Sequence, residues 1–233
     1  MTVRLICLPY AGGSASVFLP WKKRLPSFIE LCPIEYGGRG KKSWRAPYVS
    51  IEEATEDIWL DLHPLISEGW PYAFYGHSMG VLIVFELVNR IYGTSLLKPE
   101  HLFLTGRNPP HLPEQYLIHQ LTDREFAEAL YRLGGTPEPV LFNLKFQKLF
   151  FPIIRSDLQA VQCYEAPQEH SVWDSPLTIV NGSQDEVVDH DRLREWSDYT
   201  RGAFHCYTFS GDHFFINEKS DELIKLMASE LSG

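Results

Sequence analysis

YAFYGHSMGVLIVFELV, residues 72–88, is the stretch whose reading decides the fold. An apolar run over 72–77 meets a second run in which Val81, Leu82, Phe85, Leu87 and Val88 recur at the spacing of a buried helix. Gly76-His77-Ser78-Met79-Gly80 stands at the joint and has the G-x-S-x-G form of a nucleophile elbow. A chain turning this sharply from strand to helix leaves the serine strained, and a Cβ two residues to either side would collide, hence the glycines. The five-residue pattern is weak alone. Strand, turn and helix in the required order strengthen it and make Ser78 the candidate nucleophile.

Outward from this point, short apolar runs alternate with longer helical patterns, the signature of a mostly parallel sheet covered on both faces. Strands are predicted over 3–9, 29–36, 72–77, 101–106, 176–182 and 204–209, and helices over 14–25, 51–67, 79–92, 188–201 and 218–231. Residues 107–170 separate two predicted strands by far more than one crossover needs. An insertion is therefore expected there, rich in Leu, Phe and Ile, with helical patterns at about 119–133, 138–149 and 152–164. With no repeat, low-complexity tract or linker, the 233 residues read as one α/β domain, 1–233, carrying a helical lid over about 107–170.

Composition narrows the function. The net charge of −9 argues against general nucleic-acid binding, which needs a surplus of Lys and Arg to neutralise phosphates. One region departs from it: Lys22, Lys23, Arg24, Arg39, Lys41, Lys42 and Arg45 face only Glu30 and Glu35, either a solvated surface or a positive patch for docking. No stretch has the length of a membrane span or the layout of a signal peptide, so a soluble, cytoplasmic protein is expected. Cys7, Cys32, Cys163 and Cys206 form no C-x-x-C pair and are read as buried free thiols. No G-x-G-x-x-G follows Gly12-Gly13, and neither a nucleotide cofactor nor a metal is expected.

A serine nucleophile on an α/β-hydrolase sheet takes its partners in the chain order Ser, acid, His. The acid belongs in a loop just after a strand, where TIVNGSQDEVV offers Asp185 three residues past Gly182. Glu186, Asp189 and Asp191 read as polar loop and first helical turn. The preceding strand end, HLFLTGR, offers only Thr105. The base should follow the last strand, and His213 in FSGDHFF does so. His205 lies within a strand pattern and His190 in a charged helix start. His77, next to Ser78 on a strand, should point to the other face and support the elbow. An oxyanion hole needs two N–H donors. Met79, after the nucleophile, supplies one, and the turn after LICLPYAGG the other, with Ala11 favoured and Tyr10 second.

In this order and spacing, LICLPYAGGSAS, FYGHSMG, SQDEVV and SGDHFF resemble the type II thioesterases of nonribosomal peptide and polyketide assembly lines, and their relatives in animal fatty acid synthesis. The resemblance covers essentially the whole chain. Gly38-Arg39-Gly40 resembles the family's P-G-R-G, and Phe151–Asp157 leading to Tyr164 resembles its lid helix. Gly37 stands where the family usually has Pro, and Asn108 in a segment usually more basic. The resemblance implies an α/β-hydrolase fold and hydrolysis of acyl or aminoacyl thioesters on the phosphopantetheine arm of carrier proteins. The partners would be carrier domains of a synthase, served in trans by a monomer without a cofactor of its own. A carboxylesterase or lipase on the same fold, and a non-catalytic binding protein that keeps it, are the alternatives.

Overall fold

The computed structural model describes residues 2–114, 117–168 and 170–232. Among these residues six strands form one sheet: β1 (Val3–Leu8), β2 (Ile29–Pro33), β3 (Tyr72–His77), β4 (Leu102–Thr105), β5 (Leu177–Gly182) and β6 (Phe204–Phe209). Their order is β2-β1-β3-β4-β5-β6 and every pairing is parallel. Two-residue alternation divides the apolar side chains between the sheet's faces. Ile6, Leu8, Tyr72 and Phe74 pack with helices α1 (Ile51–Ser67) and α2 (Met79–Tyr92) on one side. Leu5, Cys7, Ala73 and Tyr75 pack on the other side with Phe18, Trp21, Leu223 and Met227. Burial on both faces is why these strands read as continuous apolar runs rather than alternating ones.

Helices α1 and α2 match the predicted 51–67 and 79–92. The predicted 14–25 and 188–201 are 3₁₀ segments instead, Ala15–Lys23 with Pro20 inside it and Leu193–Tyr199. The predicted 218–231 divides at Lys219 into Phe215–Glu218 and Ser220–Glu230.

Between β4 and β5 lie the lid helices α3 (Asp123–Leu133), α4 (Glu138–Leu141) and α5 (Leu144–Gln162). The sequence reading places a break near Pro152, yet α5 runs through it. The break falls at Phe142–Asn143, where the Asn143 side chain accepts from the N–H groups of Lys145 and Phe146 and starts a new helix. Phe126, Ala127, Leu141 and Phe151 form a small core of the lid's own. The end of α5 belongs to the main core, through Ala160 and Val161.

One expectation needs correction, and one open alternative is narrowed. All four cysteines are free, but only Cys7 is buried; Cys32 and Cys206 are half-buried because β2 and β6 are the sheet's edges, and Cys163 is exposed at the end of α5. The positive stretch is also largely neutralised within the chain. Lys42 pairs with Asp57 at 2.8 Å and Asp61 at 2.6 Å, Arg45 with Asp57, Arg24 with Asp221 at 2.8 Å, and Arg39 with the buried Asp157 at 2.6 Å. Lys22, Lys23 and Lys41 are exposed. No helix among the described residues is long and apolar enough to cross a membrane.

Candidate active site

The strand order reverses beside β1, and the loops that leave the C-terminal ends of β1, β3, β5 and β6 converge there, the usual place for a site on an open α/β sheet. At the end of β3, Ser78 has φ 53° and ψ −112° and is the one non-glycine residue with positive φ among those described. Its N–H donates to the Thr105 carbonyl at 2.9 Å. The flanking glycines are required by contact: a Cβ on Gly76 would stand 2.8 Å from the Gly80 carbonyl, and one on Gly80 2.2 Å from the Leu8 carbonyl. The elbow is thus the point where α2 closes onto β1.

Past β5, Asp185 is buried and its two carboxylate oxygens divide the work. Oδ1 accepts the Val187 N–H at 3.0 Å, and Oδ2 meets His213 Nδ1 at 2.9 Å. Burial pushes this carboxyl up, but the hydrogen bond and charge of His213, with the Val187 N–H, outweigh it and hold the group below its ordinary value. With Nδ1–H engaged by Asp185, the imidazole keeps Nε2 as its basic nitrogen. The His213 ring lies 5.1 Å from the ring of His77, the neighbour of Ser78, and Gly106 separates the two closely enough that a Cβ there would reach both. Two links of the expected row are therefore adjacent, but no hydrogen bond joins Ser78 to His213. Without substrate such a bond is commonly long and tightens on binding.

The two expected N–H donors follow β3 and β1, which are neighbouring strands of the sheet. Met79 opens α2, where the first N–H groups have no partner within the helix. Ala11 sits in the turn after β1, and neither N–H has a backbone partner among the described residues.

Sequence reasoning missed what holds the acid loop. Asn108 donates from Nδ2 to the Val187 carbonyl at 3.3 Å and accepts the Asp189 N–H at 2.8 Å. An Asn 79 residues upstream of one partner and 81 of the other, in a different loop, gives no local signal of that. Gly37 is explained too, since a Cβ there would lie 2.5 Å from the Ala46 carbonyl. His205 pairs with Glu230 at 3.1 Å, and His190 Nε2 bonds to the Asp185 carbonyl at 3.3 Å.

His77 supports the elbow as expected, through Nδ1 to Thr105 Oγ1 at 2.8 Å. Burial, then the nearby His213, lowers its pKa from 6.5 to about 3. The unfolded chain therefore binds a proton between those values that the native chain refuses. The contribution to stability is complete above about 6.5 and is lost as pH falls toward 3, by up to about 1.4 kcal/mol per pH unit. The urea midpoint should drop from pH 7 to pH 5, and His77→Gln should flatten that drop; equal slopes in both proteins would remove His77 as its source.

Comparison with known proteins agrees with this architecture. A family model described as a thioesterase domain matches residues 3–231. The gramicidin S biosynthesis protein GrsT of Aneurinibacillus migulanus is 36% identical over 230 residues, 98% of this chain and 89% of that protein. The crystal structure of ClbQ from the colibactin NRPS/PKS pathway superposes with a TM-score of 0.94 at 29% identity, covering 100% of this chain and 98% of ClbQ. The type II thioesterase BorB from the borrelidin biosynthetic cluster gives 0.88 at 30% identity, over 99% and 93% of the two chains. With an α/β-hydrolase sheet, a strained serine elbow and relatives matched over 98% or more of its length, this chain belongs to the thioesterase family, as a serine hydrolase of the type II kind.

Proposed function

We propose that Ser78, His213 and Asp185 act as a catalytic triad that hydrolyses acyl or aminoacyl thioesters from the phosphopantetheine arm of carrier proteins. The enzyme would work in trans, as a cytoplasmic monomer, freeing blocked or misprimed carriers of a nonribosomal peptide or polyketide synthase. The observation that carries the reading is the buried Asp185–His213 hydrogen bond at 2.9 Å beside the Ser78 elbow.

Ser78 Oγ attacks the thioester carbonyl while His213 Nε2 takes its proton. The carbonyl oxygen becomes an oxyanion held by the Ala11 and Met79 N–H groups. The C–S bond then breaks, and the proton on His213 Nε2 passes to the departing sulfur, which leaves as the thiol and returns His213 to its neutral form; with a thiol pKa of about 8.5, this transfer carries little of the barrier. In the second half His213 removes a proton from water, whose oxygen attacks the acyl-Ser78 ester, and the free acid departs with Ser78 protonated again. The chemistry closes on this chain's own side chains, with phosphopantetheine supplied by the partner. The lid helices, apolar on their inner side, would cover the acyl chain and keep bulk water out.

The test is intact-protein mass spectrometry of carrier proteins loaded with a panel of acyl groups. Incubation with the enzyme should remove the acyl mass and leave the phosphopantetheine arm in place. Oxygen esters of the same acyl groups should turn over more slowly. Faster oxygen-ester hydrolysis would redirect the reading to a carboxylesterase, and no turnover together with no fluorophosphonate labelling of Ser78 would redirect it to a binding protein.

A further inference from the structure

The turn that carries Ala11 is held from outside itself. Gly13 N–H donates to the Tyr10 carbonyl at 2.9 Å, and Gly12, third of the four residues, has φ +77°, the pattern of a type II turn. The central peptide, Ala11–Gly12, carries the Gly12 N–H, and the preceding peptide, Tyr10–Ala11, carries the Ala11 N–H, so both move with the turn. The lid anchors this turn: Gly12 N–H donates to Asp157 Oδ2 at 2.7 Å.

Asp157 lies on α5 and is wholly buried. Arg39 holds both its oxygens, Nη1 at 2.6 Å and Nη2 at 2.7 Å, and the same guanidinium donates to the Gly13 carbonyl at 2.9 Å and the Gly37 carbonyl at 3.2 Å. One helical turn earlier, Ile154 fills the space over Gly12, where a Cβ would stand 2.7 Å from its Cγ1. A bare carboxylate here would oppose a developing oxyanion. The bidentate arginine neutralises it, so that it acts as an acceptor for the turn without adding net negative charge.

We propose that Asp157 and Arg39 are positioning residues that clamp the Tyr10–Gly13 turn through the Gly12 N–H and the Gly13 carbonyl, and so hold the Ala11 N–H in place, only while helix α5 is docked. The oxyanion hole is then complete with the lid seated and loosened when α5 lifts. Hydrolysis is thereby tied to a covered acyl chain. This rests on the assignment of Ala11 as an oxyanion donor and Ser78 as the nucleophile.

Because removing one partner strands a buried charge, the test replaces both, Arg39→Met with Asp157→Leu, which restores an apolar contact of similar volume. On a small soluble acyl thioester, kcat should fall about 30- to 100-fold, less than deleting a donor outright, with KM changed less than about threefold. A trifluoromethyl ketone analogue adds Ser78 reversibly to form an oxyanion, and its affinity should fall by the same factor as kcat. A purely structural pair would leave that parallel absent. A folded double variant with parental kcat, or with reduced kcat but parental inhibitor affinity, overturns the inference. If the double variant does not fold, Asp157→Asn keeps an acceptor oxygen and loses the charge pair, and the parallel drop should be about fivefold; parental values for both overturn the inference equally. Ser78→Ala separates the two levels of the argument. Retained turnover and inhibitor binding there would sink the nucleophile assignment and this inference with it, whereas an inactive Ser78→Ala beside a fully active double variant sinks only the positioning role.

Discussion

Replacing Ser78 with alanine is expected to lower kcat for thioester hydrolysis on the order of 10⁶-fold, the scale of removing the nucleophile from a triad. Stability should stay within about 0.5 kcal/mol of the parent. The reason is local. Ser78 Oγ has no hydrogen-bond partner among the described residues, and the residue is anchored by main-chain bonds that alanine keeps, Ser78 N–H to the Thr105 carbonyl at 2.9 Å and Val81 N–H to the Ser78 carbonyl at 3.0 Å. What the site does hold is backbone strain, because φ 53° with ψ −112° disfavours any residue with a Cβ. Ser78→Gly should therefore be as inactive as the alanine variant yet more stable, by about 1 kcal/mol. Single-turnover assays on acyl-loaded carrier, beside thermal melts, read both effects. Turnover within tenfold of the parent would displace Ser78 from its role, and a glycine variant no more stable than the alanine one would remove the strain argument.

The same strain explains why the elbow was legible in the sequence. Contacts with main-chain atoms of Leu8 and Gly80 leave no room for a Cβ at 76 or 80, so steric necessity writes both glycines into a local pattern. Asp185 and His213 were legible for a different reason: chain order on a parallel sheet restricts which loops can meet, and both residues follow strands whose apolar runs are unmistakable. Helix α1 spans the residues expected of it, and Ser50 caps its start, accepting from Glu53 N–H. Legibility ends where partners are distant in sequence and neither type is distinctive. Asn108 on Val187, Asp157 on Gly12 and Lys42 on Asp57 and Asp61 are all of this sort. The last pair is instructive, since a run of positive charge read from sequence counts residues and cannot see the carboxylates folded against them. The break in the lid was misplaced because proline is a stronger local signal than a single asparagine cap, yet α5 tolerates Pro152 and begins at Asn143.

Asp185→Asn tests the most demanding part of the mechanism, because it changes one atom type and leaves the shape intact. Val187 N–H donates to Oδ1 at 3.0 Å, so the carboxamide must place its oxygen there and its NH₂ toward His213 Nδ1. An NH₂ can only donate, and Nδ1 must then present a lone pair, which moves the ring proton to Nε2. The nitrogen that should accept the Ser78 proton is thereby already occupied. The expected cost is about 10⁴-fold in kcat, as for other triads in which the imidazole is held in the wrong tautomer. KM should stay near the parent's, since Asp185 is buried behind His213 and interactions confined to the transition state are lost without weakening substrate binding. Nitrogen-15 NMR of the imidazole should show the proton shifting from Nδ1 to Nε2, a signature that general loosening of the fold would not produce. A loss below about tenfold with the proton still on Nδ1 would move the acid elsewhere, with the neighbouring Glu186, exposed here, the next to examine.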